Sequence, residues 1–303
     1  MILKETVESL EALQIEYERE CALKPFSSFR IGGSVELAIF PDTEEKLIGA
    51  ISLLRARQIP FAVLGHGSNL LFGDGRLEGA IVFTKKMSAL LVNGTQIDAA
   101  CGVTLSMLAS EAAEHSLDGL AFAKGIPGTV GGAVFMNAGA YGGCISDVLV
   151  ESRAWDTERS EIVTLTEHGF GYRTSVYMEK KELICLGARF SLQKGDREAI
   201  LARMRELAVQ RREKQPLEYP SAGSYFKRPE GHFAGKLIED CGLKGYAIGG
   251  AQISEKHAGF VINRGDATAA DVLSLEEYVK NEVFCRFGVT LEREVRVIDT
   301  LKN

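Results

Sequence analysis

The order of short strands and helices along the chain predicts an α+β fold, because they follow one another without the even spacing of a βαβ repeat. Two glycine-rich turns sharpen that prediction. The longer, Gly119–Gly143, holds eight glycines and one proline, and Lys124 carries its only formal charge. Glycine costs about 1 kcal/mol against alanine in a helix, so the stretch is too glycine-rich for a helix or strand interior. It is also too apolar for a solvated linker. It reads as a buried loop whose bare backbone lies against a ligand, with successive N–H groups forming an anion nest. The competing reading is a tight crossover between sheet and helix. The shorter turn, Gly65-His66-Gly67-Ser68-Asn69, closes an apolar strand upstream.

The elements follow in order from spacing and punctuation. Leu3, Val7, Leu10 and Tyr17 recur at helical spacing, which predicts an amphipathic helix over 3–17. A strand is expected over 35–40. A helix then starts at Pro41-Asp42-Thr43-Glu44-Glu45, with Asp42 as its cap, and runs to Arg57. Strands follow at 61–64, 80–84, 90–92 and 96–100, then a helix over 104–115. After the long glycine stretch come strands at 148–155, 161–165 and 183–192, and a helix over 196–214 with a basic end. Helices at 234–241 and 268–287 flank a strand at 259–263. A last strand spans 292–298. The 303 residues allow two or three domains. The expected division is 1–195, itself split near 85, and 196–303, whose last strand returns to the first part.

Composition removes several classes of function. The chain is 46% hydrophobic and 25% charged, as in an ordinary soluble protein. Its net charge of -6, with no long basic run, argues against nucleic acid as the main partner. Six scattered cysteines without a C-x-x-C pair suit a reducing cytosol better than a disulfide framework or zinc knuckle. Five isolated histidines signal no metal site. Acidic residues from Glu5 onward do not fit a signal peptide, and no apolar run reaches the length of a membrane span. There is no G-x-G-x-x-G, no P-loop and no G-x-S-x-G. Ser224-Tyr-Phe-Lys227 matches S-x-x-K, but its usual companion motifs are missing.

What remains for chemistry is spread along the chain. Two backbone cradles suit one long phosphate-containing ligand, such as FAD. Arg173 stands between aromatics in Phe170-Gly-Tyr-Arg-Thr-Ser-Val-Tyr177, placed either to fork a carboxylate or to stack on the surface. Ser224 follows a glycine in a segment bracketed by Pro220 and Pro229. On pattern alone it reads as a turn cap rather than a proton carrier. Glu294, between Arg293 and Arg296, reads as a surface ion pair. The Arg face of helix 196–214 reads as solvated.

Taken together, six segments resemble the UDP-N-acetylenolpyruvoylglucosamine reductase family. They are Ser28-Phe-Arg-Ile-Gly-Gly33, Leu64-Gly-His-Gly-Ser-Asn-Leu-Leu71, Gly125-Ile-Pro-Gly-Thr-Val-Gly-Gly-Ala133 with Asn137-Ala-Gly-Ala-Tyr141, Tyr172-Arg-Thr-Ser175, Ala222-Gly-Ser-Tyr-Phe-Lys227 and Glu292-Arg-Glu-Val-Arg296. Each is weak alone; their order across nearly the whole chain is specific. The C-terminal part is similar to the shorter subtype, which lacks an extra tyrosine-bearing loop.

The resemblance implies an FAD-binding fold of the vanillyl-alcohol-oxidase (PCMH) type, two α+β subdomains around the flavin, with a C-terminal α+β substrate domain. It implies a cytoplasmic, monomeric NADPH-dependent flavoenzyme of peptidoglycan synthesis. NADPH reduces FAD, and the reduced flavin then reduces the enolpyruvyl ether of UDP-N-acetylglucosamine to UDP-N-acetylmuramate. The roles carried over are Arg173 and Glu294 as the pair that polarises the enolpyruvyl carboxylate, and Ser224 as the acid. Lys214, Lys244 and His257 are placed near the diphosphate. Gly65, His66, Gly67, Ser68, Asn69, Gly125, Ile126, Pro127, Gly128, Gly131, Gly132, Ala133, Asn137 and Gly139 are placed around a non-covalently held FAD. Ser28 replaces the family's usual Thr, and Arg228 stands where some members have Asn, which leaves its role open. The rival readings are a flavin oxidase of the same fold and a non-catalytic flavin or nucleotide-sugar binder. The Tyr172-Arg173 and Gly223-Ser224 constellation counts against the first, and an intact set of Arg173, Ser224 and Glu294 against the second.

Overall fold

The computed structural model describes residues 2–301, with side chains from residue 4 onward. Its apolar side chains form four buried clusters, spread over three lobes. The first lobe holds helices α1 (Ile2–Ala12) and α2 (Glu44–Ala56) and strands β1 (Glu16–Ala22), β2 (Ser34–Phe40), β3 (Phe61–Leu64), β4 (Leu70–Phe72) and β5 (Arg76–Phe83). The sheet order is β1-β2-β5-β3, with β2 and β3 parallel to β5. Leu37, Ala38 and Ile39 are all fully buried, as expected for a strand covered on both faces.

The expected helix over 3–17 ends at Ala12. Gln14 turns left-handed at φ 53°, and Tyr17 pairs with Ile39 in the sheet. The side chain of Leu3 lies outside the described residues. Thr43, not Asp42, caps α2, accepting the Lys46 N–H at 3.2 Å.

The second lobe is an antiparallel sheet, order β12-β11-β13-β7-β6. Its members are β6 (Leu90–Asn93), β7 (Gln96–Ala100), β11 (Leu149–Asp156), β12 (Glu161–Leu165) and β13 (Leu183–Ser191). The segment between β7 and β11 carries α3 (Leu105–Glu114), β8 (Leu117–Asp118), α4 (Val130–Phe135), β9 (Gly139–Ala140) and β10 (Gly143–Cys144). After β12 come α5 (Val176–Glu179), β14 (Gln193–Lys194) and α6 (Arg197–Lys214). Thr104 caps α3 and Asp196 caps α6 through side-chain oxygens.

Helix α4 corrects the expectation that the glycine-rich stretch is loop throughout. Tertiary contact overrides propensity there: a Cβ on Gly131 would lie 2.9 Å from the Cys101 Cβ, so the helix packs only because the residue is bare. Ile200 and Met204 of α6 sit in the apolar core of this lobe. On that packing we propose moving the C-terminal boundary from near 195 to after Lys214.

The third lobe holds β15 (Ser221–Ser224), α7 (Ala234–Asp240), β16 (Ala247–Ile248), β17 (Ala251–Ile253), β18 (Phe260–Asn263), α8 (Ala269–Phe287) and β19 (Arg296–Ile298). Its sheet runs β15-β18-β17-β16. A capping box of Thr268 and Asp271 opens α8, and Gly288 at φ 68° closes it. The last segment is not one strand over 292–298. Glu292 and Glu294 bond to Lys227 and Tyr225, while Arg296–Ile298 run parallel to β4. The chain thus leaves the third lobe and enters the first within a few residues. Among the described residues no helix is long and apolar enough to cross a membrane.

One buried ionic group braces this lobe. Glu276 accepts the Tyr225 hydroxyl at 2.7 Å and Arg293 Nη1 at 3.0 Å, and pairs with Lys280. Burial works against its carboxylate, but the hydrogen bonds of Lys280 and Tyr225 and the charge of Arg293 outweigh it, and its pKa is lowered. A lowered folded-state pKa stabilises the fold above the unfolded value, about 4.3 for Glu, and that stability is lost as pH falls through the folded value. The melting temperature is therefore expected to drop on acidification below that range. Glu276→Gln should lower the melting temperature at neutral pH and flatten the acid drop, as read by calorimetry across pH.

Candidate active site

The two glycine turns come from different lobes and meet. The Ser68 hydroxyl donates to the Pro127 carbonyl at 2.5 Å. A Cβ on Gly65 would lie 2.1 Å from the Thr129 hydroxyl oxygen, and one on Gly67 (φ 66°) 2.0 Å from the Phe26 carbonyl. Bare backbone is therefore required at both positions. Thr129 is 1% exposed, and its hydroxyl oxygen is buried with no hydrogen-bond partner among the described residues. Native folds rarely leave such a group unpaired. An unpaired hydroxyl beside Gly65 fits a ligand that supplies the missing partner, as the phosphate or hydroxyl oxygens of a dinucleotide would.

Gly67→Ala is expected to destabilise the protein by at least about 1–2 kcal/mol from the left-handed backbone alone, with loss of retained flavin. Gly75→Ala, where a Cβ meets nothing within 4 Å, should be near neutral. Melting curves and the flavin-to-protein ratio of the two variants test this.

The expected cofactor residues divide on inspection. Gly65, His66, Gly67, Ser68 and Asn69 form the first turn, and Gly125, Ile126, Pro127, Gly128 and Gly132 border the second. Four others are taken up by the protein itself. Gly131 packs on Cys101, and Ala133 is buried in the core at 3% exposure. The Gly139 carbonyl accepts from Arg173, and both ends of the Asn137 amide are bonded within the protein. Close packing explains these as well as ligand contact would.

Arg173 and Glu294 come together across more than a hundred residues of chain. Arg173 Nε donates to Glu294 Oε1 at 2.8 Å, and an Arg173 Nη donates to the Gly139 carbonyl at 3.2 Å. The ion pair is not a surface one: the Glu294 side chain is 10% exposed. A guanidinium has five N–H groups, so donors remain for a ligand carboxylate. Glu294 is placed by three segments at once. Its N–H donates to the Tyr225 carbonyl at 2.8 Å, the Tyr225 N–H donates to Gly259, and Asn69 Nδ2 reaches the Glu294 carbonyl at 3.3 Å. Asn69 thus joins the first glycine turn to the ion pair.

Ser224 ends β15 opposite Phe260 and is exposed. It lines the same cleft of about 390 Å³ as Arg173 and Glu294. Lys244 and His257 line it too, with Lys236, Lys256 and Arg228. Five cations against Glu239 and Glu294 make a positive cleft on an acidic protein. Lys244 and Lys236 rest on Glu239 and Asp240 at 2.7 and 2.6 Å, exposed pairs that cost little to exchange for a diphosphate. Burial lowers the pKa of His257, and its Nδ1 accepts the Gly259 N–H at 3.1 Å. It is therefore neutral at pH 7, a hydrogen-bonding group rather than a cation.

Lys214, expected at the diphosphate, is exposed at the end of α6 and is not among the cleft's lining residues. The helix instead turns Arg211 inward, so that a Cβ on Gly125 would lie 3.2 Å from its Nη1. Sequence reasoning missed Arg211, Lys236 and Lys256, because lone basic residues in polar segments read as solvated. The lip of the cleft was missed as well. The Arg228 N–H donates to the Tyr172 hydroxyl at 3.3 Å, and its guanidinium lies 4.5 Å from the exposed Phe233 ring centre.

Comparison with known proteins decides the family. Residues 215–298 match the UDP-N-acetylenolpyruvoylglucosamine reductase C-terminal domain, and residues 35–166 match an FAD binding domain. A UDP-N-acetylenolpyruvoylglucosamine reductase of Caldanaerobacter subterraneus subsp. tengcongensis is 48% identical over 278 residues, 91% of each chain. The chain belongs to the UDP-N-acetylenolpyruvoylglucosamine reductase family. A member from Clostridium novyi is 47% identical over 285 residues, 93% of this chain and 92% of the relative. The crystal structure of the Thermus caldophilus reductase superimposes with a TM-score of 0.79 at 34% identity, covering 93% of this chain and 98% of that one. The α+β fold, the FAD-dependent chemistry and the resemblance read from the six segments stand on these matches. FAD is the cofactor of the family, and the glycine cradle with its unpaired Thr129 hydroxyl fits it.

Proposed function

We propose that the chain reduces the enolpyruvyl ether of UDP-N-acetylglucosamine enolpyruvate to UDP-N-acetylmuramate with NADPH, a step of peptidoglycan synthesis. One observation carries the reading: a single basic cleft holds Ser224 and the Arg173–Glu294 pair, hydrogen-bonded through Asn69 and Gly139 to the glycine-lined segments. FAD, when bound, supplies hydride chemistry, accepting from NADPH and delivering to the vinyl group.

The protein's own groups do the rest. Arg173 holds the enolpyruvyl carboxylate and opposes the enolate-like charge that develops there, where a fixed cation is most useful. Glu294 keeps the guanidinium in place. The Ser224 hydroxyl, exposed in the cleft, gives its proton to the neighbouring carbon. Lys236 and Lys244 exchange their surface carboxylates for the diphosphate, and His257 lines the same cleft as a neutral partner. Arg211, against Gly125, is a further cation for bound phosphate. The reading includes a monomer and a cytoplasmic location, the latter suited by six cysteines with no disulfide among them.

Steady-state oxidation of NADPH tests it. The reaction should require UDP-N-acetylglucosamine enolpyruvate, give a product heavier by one H2, and not proceed with UDP-N-acetylglucosamine. NADPH consumption that needs only oxygen would point to an oxidase and reject the reading.

A further inference from the structure

Asn137 stands in the glycine-rich stretch at φ 44°, a left-handed backbone that Asn tolerates better than most residues. It is not among the residues lining the cleft that holds Arg173 and Ser224. The residue is 8% exposed. Nδ2 donates to the Gly171 carbonyl at 3.1 Å, and Oδ1 accepts the Ser146 N–H at 3.0 Å. Its own N–H donates to Val134. One Nδ2 hydrogen and the Oδ1 acceptor of the side chain are thus committed inside the protein.

What Asn137 grips is the loop that carries the key cation. Gly171 stands two residues before Arg173 and forms a bridge with Thr174, so the four residues make one tight turn. Arg173 itself sits at φ 56°, a strained backbone for a long side chain, which persists only where the surroundings hold it. Two further bonds fasten the same turn to the same stretch: Arg173 to the Gly139 carbonyl, and the Ser175 hydroxyl to the Phe135 carbonyl at 2.6 Å. The other end of the Asn137 amide holds Ser146, so this one side chain ties three segments together.

We propose that Asn137 is a positioning residue for the reduction: it clamps the turn at Gly171 so that Arg173 stays aimed at Glu294 and the substrate carboxylate, and it touches neither cofactor nor substrate. The proposal rests on the role given to Arg173 above. Release of Gly171 would let the guanidinium drift while leaving the glycine cradle as it was.

Two variants separate these effects. Asn137→Gly keeps the backbone conformation accessible and removes both side-chain bonds. Asn137→Asp keeps the size and the acceptor for Ser146 but loses the donor to Gly171. Each is purified with FAD and its two half-reactions are followed separately under anaerobic conditions. Flavin content and the rate of bleaching by NADPH should match the parent enzyme. The rate at which UDP-N-acetylglucosamine enolpyruvate restores the band should fall about 10- to 100-fold, as for a reacting group misplaced by roughly 1 Å. In an Arg173→Ala background Asn137→Gly should cost nothing further, since both act through one group.

Loss of flavin, failure of both variants to fold, equal slowing of both half-reactions, or additive effects with Arg173→Ala would each overturn the clamp. A parent enzyme whose band the substrate does not restore would overturn the functional reading itself, and with it the role assigned here.

Discussion

Replacing Ser224 by alanine is expected to cut turnover by two to four orders of magnitude, about 10²–10⁴-fold for loss of a general acid, while NADPH still bleaches the flavin. The backbone around Ser224 does not depend on its hydroxyl. β15 is pinned by pairing with Phe260, and Tyr225 is bonded on both sides, to Gly259 and Glu294. The position is exposed in the cleft, so alanine creates no cavity. Deleting the oxygen therefore removes a proton source and little else, and the melting temperature should stay within measurement error. Rapid-mixing traces of the two half-reactions read the split directly. Near-full turnover in the alanine variant would remove Ser224 from the chemistry.

Arg173→Ala is expected to slow reduction of the substrate by about 10²–10³-fold, the effect of removing a preorganised charge from a reacting centre. Both residues carry a Cβ, so the strained φ of 56° is unchanged and the loss is electrostatic. It has two parts. The substrate carboxylate loses its cation, and Glu294, whose side chain is only 10% exposed, becomes an unpaired negative charge facing it. The second part predicts a partial rescue. Glu294→Gln added to Arg173→Ala should lower KM relative to Arg173→Ala alone, because the repulsion is removed while the lost cation is not replaced. Arg173→Lys should not restore the rate, since an ammonium lacks the planar fork that reaches Glu294 and Gly139 together. KM and kcat of the single and double variants check this. A double variant worse than Arg173→Ala would mean that Glu294 has a role beyond holding the guanidinium.

Some of this was legible in the sequence because the signals are local. Thr104, Asp196 and Thr268 each precede an apolar helical pattern, and each caps its helix. The glycine turns pointed to a cradle because bare, uncharged backbone suits close approach to a ligand, with a tight crossover as the competing reading. What was not legible depends on partners far along the chain. Nothing near Gln14 says that a helix must stop there; the pairing of Tyr17 with Ile39 does. Helix α4 exists because Gly131 lets it press on Cys101. The segment 292–298 alternates like one strand, yet its two halves bond to different lobes, and that division sets Glu294 between Tyr225 and Asn69. On pattern alone Glu294 and Arg173 each read as well as surface charges. Only the fold makes them a half-buried pair. Lys214 shows the converse: a basic helix end points wherever its helix packs, and α6 presents Arg211 to Gly125 and leaves Lys214 exposed.

The most direct test of the central claim is the visible spectrum of the purified protein under anaerobic conditions, recorded before NADPH, after NADPH, and again after UDP-N-acetylglucosamine enolpyruvate. The account predicts a flavin band that bleaches with NADPH and returns with that substrate. A band that bleaches but does not return with the enolpyruvyl substrate, or no band even after incubation with FAD, would contradict it.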